Sequence, residues 1–189
     1  MDLLLNNSVM YELKTVKAIT GKHRKQALNY LLLVGMHHGK LVNMRPQSVQ
    51  YSFVSTKLTP EKRYKFIIDD REWKDLDEDS IWLKQLVIRL LFEWGAFLDI
   101  NLFYDAINHF RGGEDHVVKR IEIVNDSRLL GTQRAHLLNS EIAFKISAIT
   151  EAGSFYGKHL YRFINHTSLK AIQWINFDHN RIVFETISQ

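Results

Sequence analysis

The spacing of hydrophobic positions switches between strand-like and helix-like periods along the chain. Leu3, Leu4 and Leu5 are followed by the turn-forming Asn6-Asn7-Ser8, and an extended apolar pattern resumes from Val9 to Val16. This predicts a β-hairpin. Thr20 is placed to cap a helix running to about Gly35, with Leu28, Leu31, Leu32 and Met36 at helical spacing, and Gly35 and Gly39 end it. GKLVNM and SVQYSFVS then read as two further extended segments. The order strand, strand, helix, strand is that of an α/β unit. From Ile81 the helical period returns through IWLKQLVIRLLFEWGAFLD and INLFYDAINHF, interrupted at Gly95 and at Arg111-Gly112-Gly113. VVKRIEIV, EIAFKISAIT, LKAIQWINF and RIVFETI alternate, with a helix over GSFYGKHLYRFINHT and a hairpin turn at Asp178-His179-Asn180. The pattern predicts a second domain of α+β type, two helices followed by an antiparallel sheet.

Between the two patterns lies DDREWKDLDED, residues 69–79, which reads as an acidic linker whose final Asp79, or Ser80, caps the next helix. It lacks the glycine and the alternation of a calcium loop. The expected organisation is an α/β core over 1–68, the linker, and an α+β domain over 80–189.

Composition narrows the class. The 189 residues are 46% hydrophobic and 24% charged, an ordinary globular balance with enough chain for a core. There is no cysteine, which excludes disulfides, thiolate metal sites and a cysteine nucleophile, and fits a reducing cytoplasm. No apolar run approaches the roughly 18 residues of a membrane span, and the start lacks signal-peptide features, so no membrane association and a cytoplasmic location are expected.

Charge is distributed unevenly. Residues 1–68 hold eleven Lys and Arg against three acids, a balance of +8; residues 69–79 hold seven acids and two bases, and the rest is near neutral. A basic surface concentrated in one third of the chain is the footprint of a polyanion binder, although a solvated basic face explains the charge alone equally well.

The hairpin carries the candidate chemistry. Asp2 and Glu12 fall on adjacent strands, and Glu12 and Lys14, two apart, share a face. Two carboxylates side by side repel unless a cation lies between them, and a hard divalent ion such as Mg²⁺ suits them, with the Leu13 backbone carbonyl as a third oxygen. Lys14 beside that ion would orient a water or stabilise charge developing on a phosphate. A strand-edge salt bridge is the simpler account of the triplet taken alone. On the following helix Gln26 and Tyr30 lie four apart, with His23 one turn earlier, and line one face.

Asp2, Glu12-Leu13-Lys14 and Gln26-Ala27-Leu28-Asn29-Tyr30 together form D(x9)ExK followed by Q-x-x-x-Y, a combination that resembles the PD-(D/E)XK nuclease superfamily, in particular its RecB-like and lambda-exonuclease-like branch. More closely, DLLLNNSVMYELKTVKAITGKHRKQALNYLLLVGMHHGKLVNM resembles the core of the GxxExxY proteins. The resemblance implies that Asp2 and Glu12 bind Mg²⁺ or Mn²⁺, that Lys14 serves the attacking water, and that Gln26 and Tyr30 support the site or the nucleic-acid backbone. DNA is the implied partner, with Lys17, Lys22, His23, Arg24 and Lys25 expected along its backbone. Stretches such as LLFEWGAFLD, LGTQRAHLL and IQWINF resemble an extension carried by some members.

The sequence also departs from that pattern. No G-x-x-E-x-x-Y occurs, and the helix and first strand that precede the aspartate strand in the superfamily core are missing, since the aspartate is residue 2. Either Met1 is internal to a longer reading frame, or this form is a remnant that folds imperfectly or with a protein partner. On this reading residues 1–189 alone are expected to cleave little, and a non-catalytic binding module on a nuclease-like scaffold is the alternative function.

Other motifs carry less. His37-His38 are neighbours on a helix end and do not face one ion, and Gly112-Gly113 and Gly131-Thr132 read as single turns. Trp82, Trp94 and Trp174 read as core, or as a stacking surface for single-stranded nucleic acid.

Overall fold

The computed structural model describes residues 2–5, 9–126, 128–150 and 153–189, and the chain divides into two compact units, Met1–Lys65 and Phe66–Gln189. Both are mixed α/β. Among the described residues no helix is long and apolar enough to cross a membrane.

The first unit comprises β1 (Leu3–Leu5), β2 (Val9–Lys14), α1 (Gly21–Val34), β3 (His38–Asn43), β4 (Gln50–Ser55) and the short α2 (Pro60–Tyr64). Its sheet has the order β1-β2-β3-β4, with β1 antiparallel to β2, β2 parallel to β3 and β3 antiparallel to β4. The hairpin forms as the alternation implies, while its expected Asn6-Asn7-Ser8 turn lies outside the described residues. Parallel pairing of β2 with β3 follows from the α1 crossover, since two parallel neighbours cannot be joined by a tight turn.

Alternation decides which face α1 covers. Met10, Leu41 and Val54 point toward it and pack with Ala27 and Leu31. Met10, Leu31 and Leu41 are fully buried, each contributing about 1.5–3 kcal/mol. A Cβ on Gly39 would stand 3.0 Å from the Met10 methyl and 3.2 Å from Leu31, so glycine is what allows β3 to pass this close beneath the helix. Gly35 ends α1 in the left-handed conformation (φ 69°), the usual glycine C-cap. The buried Arg63 of α2 donates to the Leu32 carbonyl, adding a second donor to a helix-end carbonyl that the Gly35 amide also reaches.

The second unit contains β5 (Ile67–Glu72), α3 (Glu78–Trp94), α4 (Ile100–Phe110), α5 (Glu114–Val117), β6 (Val118–Asn125), β7 (Arg128–Leu137), β8 (Ile142–Ser147), α6 (Gly153–Ile164), β9 (Ala171–Asp178) and β10 (Arg181–Ser188). Its sheet has the order β5-β10-β9-β8-β7-β6. The sheet is mixed where an antiparallel one was expected: β8 and β9 are parallel because α6 connects them, and β5 joins β10 in parallel.

Three local expectations change. The acidic run expected to be a linker carries the end of β5, where Asp69 lies between Arg71 and Arg181 at 2.8 and 2.6 Å. Those guanidinium groups, Arg71 first, hold its carboxyl well below the usual range. Farther along the run, the Lys74 amide donates to the Thr186 hydroxyl and the Lys74 carbonyl accepts from buried Gln173. The cap of α3 is Asp77, whose carboxylate accepts from the Ser80 amide, while Asp79 pairs with Arg111 at 2.6 Å. Finally, Gly131-Thr132 is no turn but lies within β7, where the pairing skips Leu130 as a bulge.

Trp174 is buried and donates to the Ser147 hydroxyl, Trp94 packs edge-on against Phe103, and the Arg111 guanidinium covers Trp82. Glu185 of β10 is paired across the sheet with Glu72 on one side and Trp174 on the other. Burial and then the Glu72 charge raise its carboxyl above the ordinary value. The folded state therefore holds this proton more tightly than the unfolded one, and stability falls as pH rises through the carboxylate range. Glu185→Gln is expected to raise the melting temperature at pH 7 and to have no effect below about pH 4. Thermal unfolding at the two pH values checks this, and an equal shift at both would dissociate the effect from the carboxyl's ionisation.

Candidate active site

Met10, Glu12 and Lys14 alternate onto the α1 side of β2, so Glu12 is carried into the interface between sheet and helix and is only 4% exposed. Lys14 Nζ donates to Glu12 Oε1 at 2.8 Å and to Gln26 Oε1 at 2.8 Å. The amide nitrogen of Gln26 donates in turn to the Tyr30 hydroxyl at 3.1 Å. Gln26 and Tyr30 stand one turn apart on α1, which is what lets a single helix face complete the chain. Glu12, Lys14, Gln26 and Tyr30 thus form one continuous hydrogen-bonded series on the core side of the sheet.

That location argues against a simple edge salt bridge. A pair whose side chains are 5% and 15% exposed gives up much of its hydration, and replacing such a pair by apolar residues is often neutral or stabilising. Stability alone gives no reason to keep these charges here.

Asp2 lies just beyond β1 and is exposed. Its amide donates to the Tyr11 carbonyl at 3.3 Å, and its carboxylate accepts from the Leu13 amide at 2.7 Å. Asp2 therefore contacts the residues on both sides of Glu12. Because the N–H and C=O of one strand residue point to the same edge, the Leu13 carbonyl also faces the Asp2 side. Two carboxylates and a carbonyl are hard oxygen donors and fit Mg²⁺ or Mn²⁺, which retain several waters when so few protein ligands are offered. Among the described residues no group of three or more His, Cys, Asp or Glu is placed to hold a metal ion.

The remaining expected residues divide. His23 Nδ1 accepts from the Thr20 amide at 3.0 Å, so its ring closes the N-terminal cap of α1 and takes no part in the series. Lys22, Arg24 and Lys25 are exposed on the first turns of α1, and Lys17 is exposed on the loop before it. No acid occupies the first turn to offset them.

One residue at the site escapes the sequence analysis. Asn43 is fully buried at the end of β3, in register with Lys14 on one side and Gln50 on the other. Its side chain accepts from the Val16 amide at 3.0 Å and donates to the Val16 carbonyl at 2.8 Å and the Gln50 side chain at 3.2 Å. It ties the chain leaving β2 to the start of β4. A polar residue two positions after Leu41, on the strand face that buries Gly39 and Leu41, was the available signal.

Residues 1–53 match the family model of the PD-(D/E)XK nuclease superfamily. The match runs from β1 into β4 and includes Asp2, Glu12, Lys14, Gln26 and Tyr30. No curated protein and no solved structure matches the chain. A cleft of the second unit, about 630 Å³ and lined by Lys158, Tyr161, Trp174, Asp178, Arg181 and Glu185 among others, contains none of the residues in the PD-(D/E)XK-like segment.

Proposed function

We propose that the first unit is a metal-dependent nuclease core that hydrolyses phosphodiester bonds of DNA, of the RecB-like type and related to the GxxExxY proteins. The observation that carries the reading is the bonded series Glu12–Lys14–Gln26–Tyr30 beneath α1, with Asp2 beside it. Asp2, Glu12 and the Leu13 carbonyl would hold Mg²⁺ or Mn²⁺, which supplies Lewis acidity toward a phosphate oxygen and a more acidic bound water. Lys14 has three N–H donors, of which Glu12 and Gln26 engage two. The third is available to orient a water or to meet charge developing on the phosphate. Gln26 holds the ammonium in place, and Tyr30 holds Gln26.

Glu12 and Lys14 draw their supports from β2 and α1. We therefore read the described site as competent. The ligand set is tested by Mn²⁺ titration calorimetry: one binding event in the wild type, lost in Glu12→Gln, is expected. Unaltered Mn²⁺ binding in Glu12→Gln would remove Glu12 from the ligand set and the proposal with it.

Lys17, Lys22, Arg24 and Lys25 supply the electrostatic part of DNA binding in this reading. Neutralising Lys22, Arg24 and Lys25 together is expected to weaken binding about equally for all sequences and to make the salt dependence shallower by about one unit of slope per charge. Affinity measured across a salt series checks this, and an unchanged slope would place the DNA elsewhere.

A further inference from the structure

We infer that the sheet of the first unit carries a stacking platform for single-stranded nucleic acid, on the face turned away from α1 and continuing into a groove beside the candidate active site. The inference rests on the proposed nuclease reading for its relation to cleavage, but on separate residues.

Alternation that buries Leu41 and Val54 under α1 turns Lys40, Tyr51 and Phe53 outward. Tyr51 and Phe53 are 62% and 71% exposed, with ring centroids 5.9 Å apart, edge to face. Lys40 Nζ lies 4.4 Å from the Tyr51 ring and 5.1 Å from the Phe53 ring. In register, Tyr11 lies beside Lys40 and Lys40 beside Phe53, while Leu13 lies beside Val42 and Val42 beside Tyr51. Two exposed rings flanking a cation on an open sheet suit unstacked bases and a phosphate between them, whereas duplex bases are buried in their own stack.

Tyr51 also forms one wall of a groove of about 300 Å³, whose lining includes Ile19, Arg24, Val49, Gln50 and Ser52. That volume lies at the lower end of the range for small-ligand sites. Arg24 offers a planar fork for phosphate, and Tyr51 offers a ring. Gln50 of the groove is in register with Asn43, and Asn43 with Lys14, which places the groove two strand spacings, roughly 10 Å, from Lys14 across the sheet. A strand whose phosphodiester lies at Lys14 would carry a neighbouring nucleotide into it.

Charge selects the occupant. The first unit bears eleven Lys and Arg against three acids, so a polyanion is favoured over a second copy of the same +8 surface.

The test is fluorescence anisotropy with one labelled oligonucleotide, single-stranded or annealed, and the full chain. Wild type is expected to prefer the single strand. Tyr51→Ala with Phe53→Ala should weaken single-strand binding about 30-fold and leave duplex binding unchanged, while Tyr51→Phe with Phe53→Tyr, which keeps both rings, should bind like wild type. Equal single-strand affinity for wild type and the alanine pair, or equal losses on single strand and duplex, would overturn the inference. So would a concentration-dependent dimer that the alanine pair abolishes without changing DNA affinity, since a second copy would then be the occupant. The nuclease reading fails separately: ring-dependent single-strand binding without metal-dependent cleavage supports the platform and sinks the hydrolysis, whereas cleavage with ring-independent binding does the reverse.

Discussion

Lys14→Ala is expected to lower kcat for metal-dependent DNA cleavage by about 10²- to 10³-fold, with the Kd for DNA nearly unchanged. The ammonium is held at 2.8 Å from both Glu12 and Gln26, and on the proposed reading its loss removes a contact made to the reacting centre. Removing it also leaves the buried Glu12 carboxylate without its cation, which in a buried pair costs about 3–5 kcal/mol. Lys14→Gln separates the two effects, because its amide still donates to Glu12 while carrying no charge. It should lose less stability than Lys14→Ala, remain folded, and be as inactive as Lys14→Ala. Single-turnover rates with melting curves of both variants check this; wild-type kcat in a folded Lys14→Gln would exclude Lys14 from the chemistry.

The second large effect concerns Asn43. Asn43→Ala leaves the half-buried Val16 amide and carbonyl without their side-chain partner, and is expected to destabilise the first unit by about 1–3 kcal/mol. Asn43→Asp keeps the acceptor for the Val16 amide but turns a carboxylate oxygen toward the Val16 and Gln50 carbonyl oxygens, so a loss at least as large is expected. All four tryptophans, at 73, 82, 94 and 174, lie in the second unit, so their fluorescence reports that unit. Amide exchange in β2 and β3 reports the first. Faster exchange there with an unchanged tryptophan midpoint is the expected result, and unaltered exchange would show that the Asn43 contacts carry no stability.

What was legible in the sequence follows from how local the signal is. The hairpin, α1 and the Glu12–Lys14 and Gln26–Tyr30 spacings depend on periods of 2 and 3.6, which any short window displays. Their meeting beneath α1 required only that the helix cross back over its own strand. His23 was misleading because three residues from Thr20 it is equally well placed for a cap, and the cap is what forms. The role of Asn43 could not be assigned from its polar character alone because its partners, Val16 and Gln50, are 27 and 7 residues away. The acidic run looked solvated because the cation that completes its Asp69 cluster, Arg181, is 112 residues distant. β7 was missed because its bulge at Leu130 interrupts the alternation and most of its residues are exposed. The parallel pairing of β8 with β9 was within reach, since a helix between two strands calls for a crossover.

The central claim, that Glu12 and Lys14 form a metal-dependent hydrolytic site, is tested most directly by incubating the full chain with end-labelled single-stranded and duplex DNA in Mg²⁺ or Mn²⁺. The expected result is phosphodiester cleavage that chelation of the metal abolishes and that Lys14→Gln does not support. Intact DNA at every metal concentration, from a protein that binds it with an affinity dependent on Lys22, Arg24 and Lys25, would contradict the claim and leave a binding module on a nuclease-like scaffold.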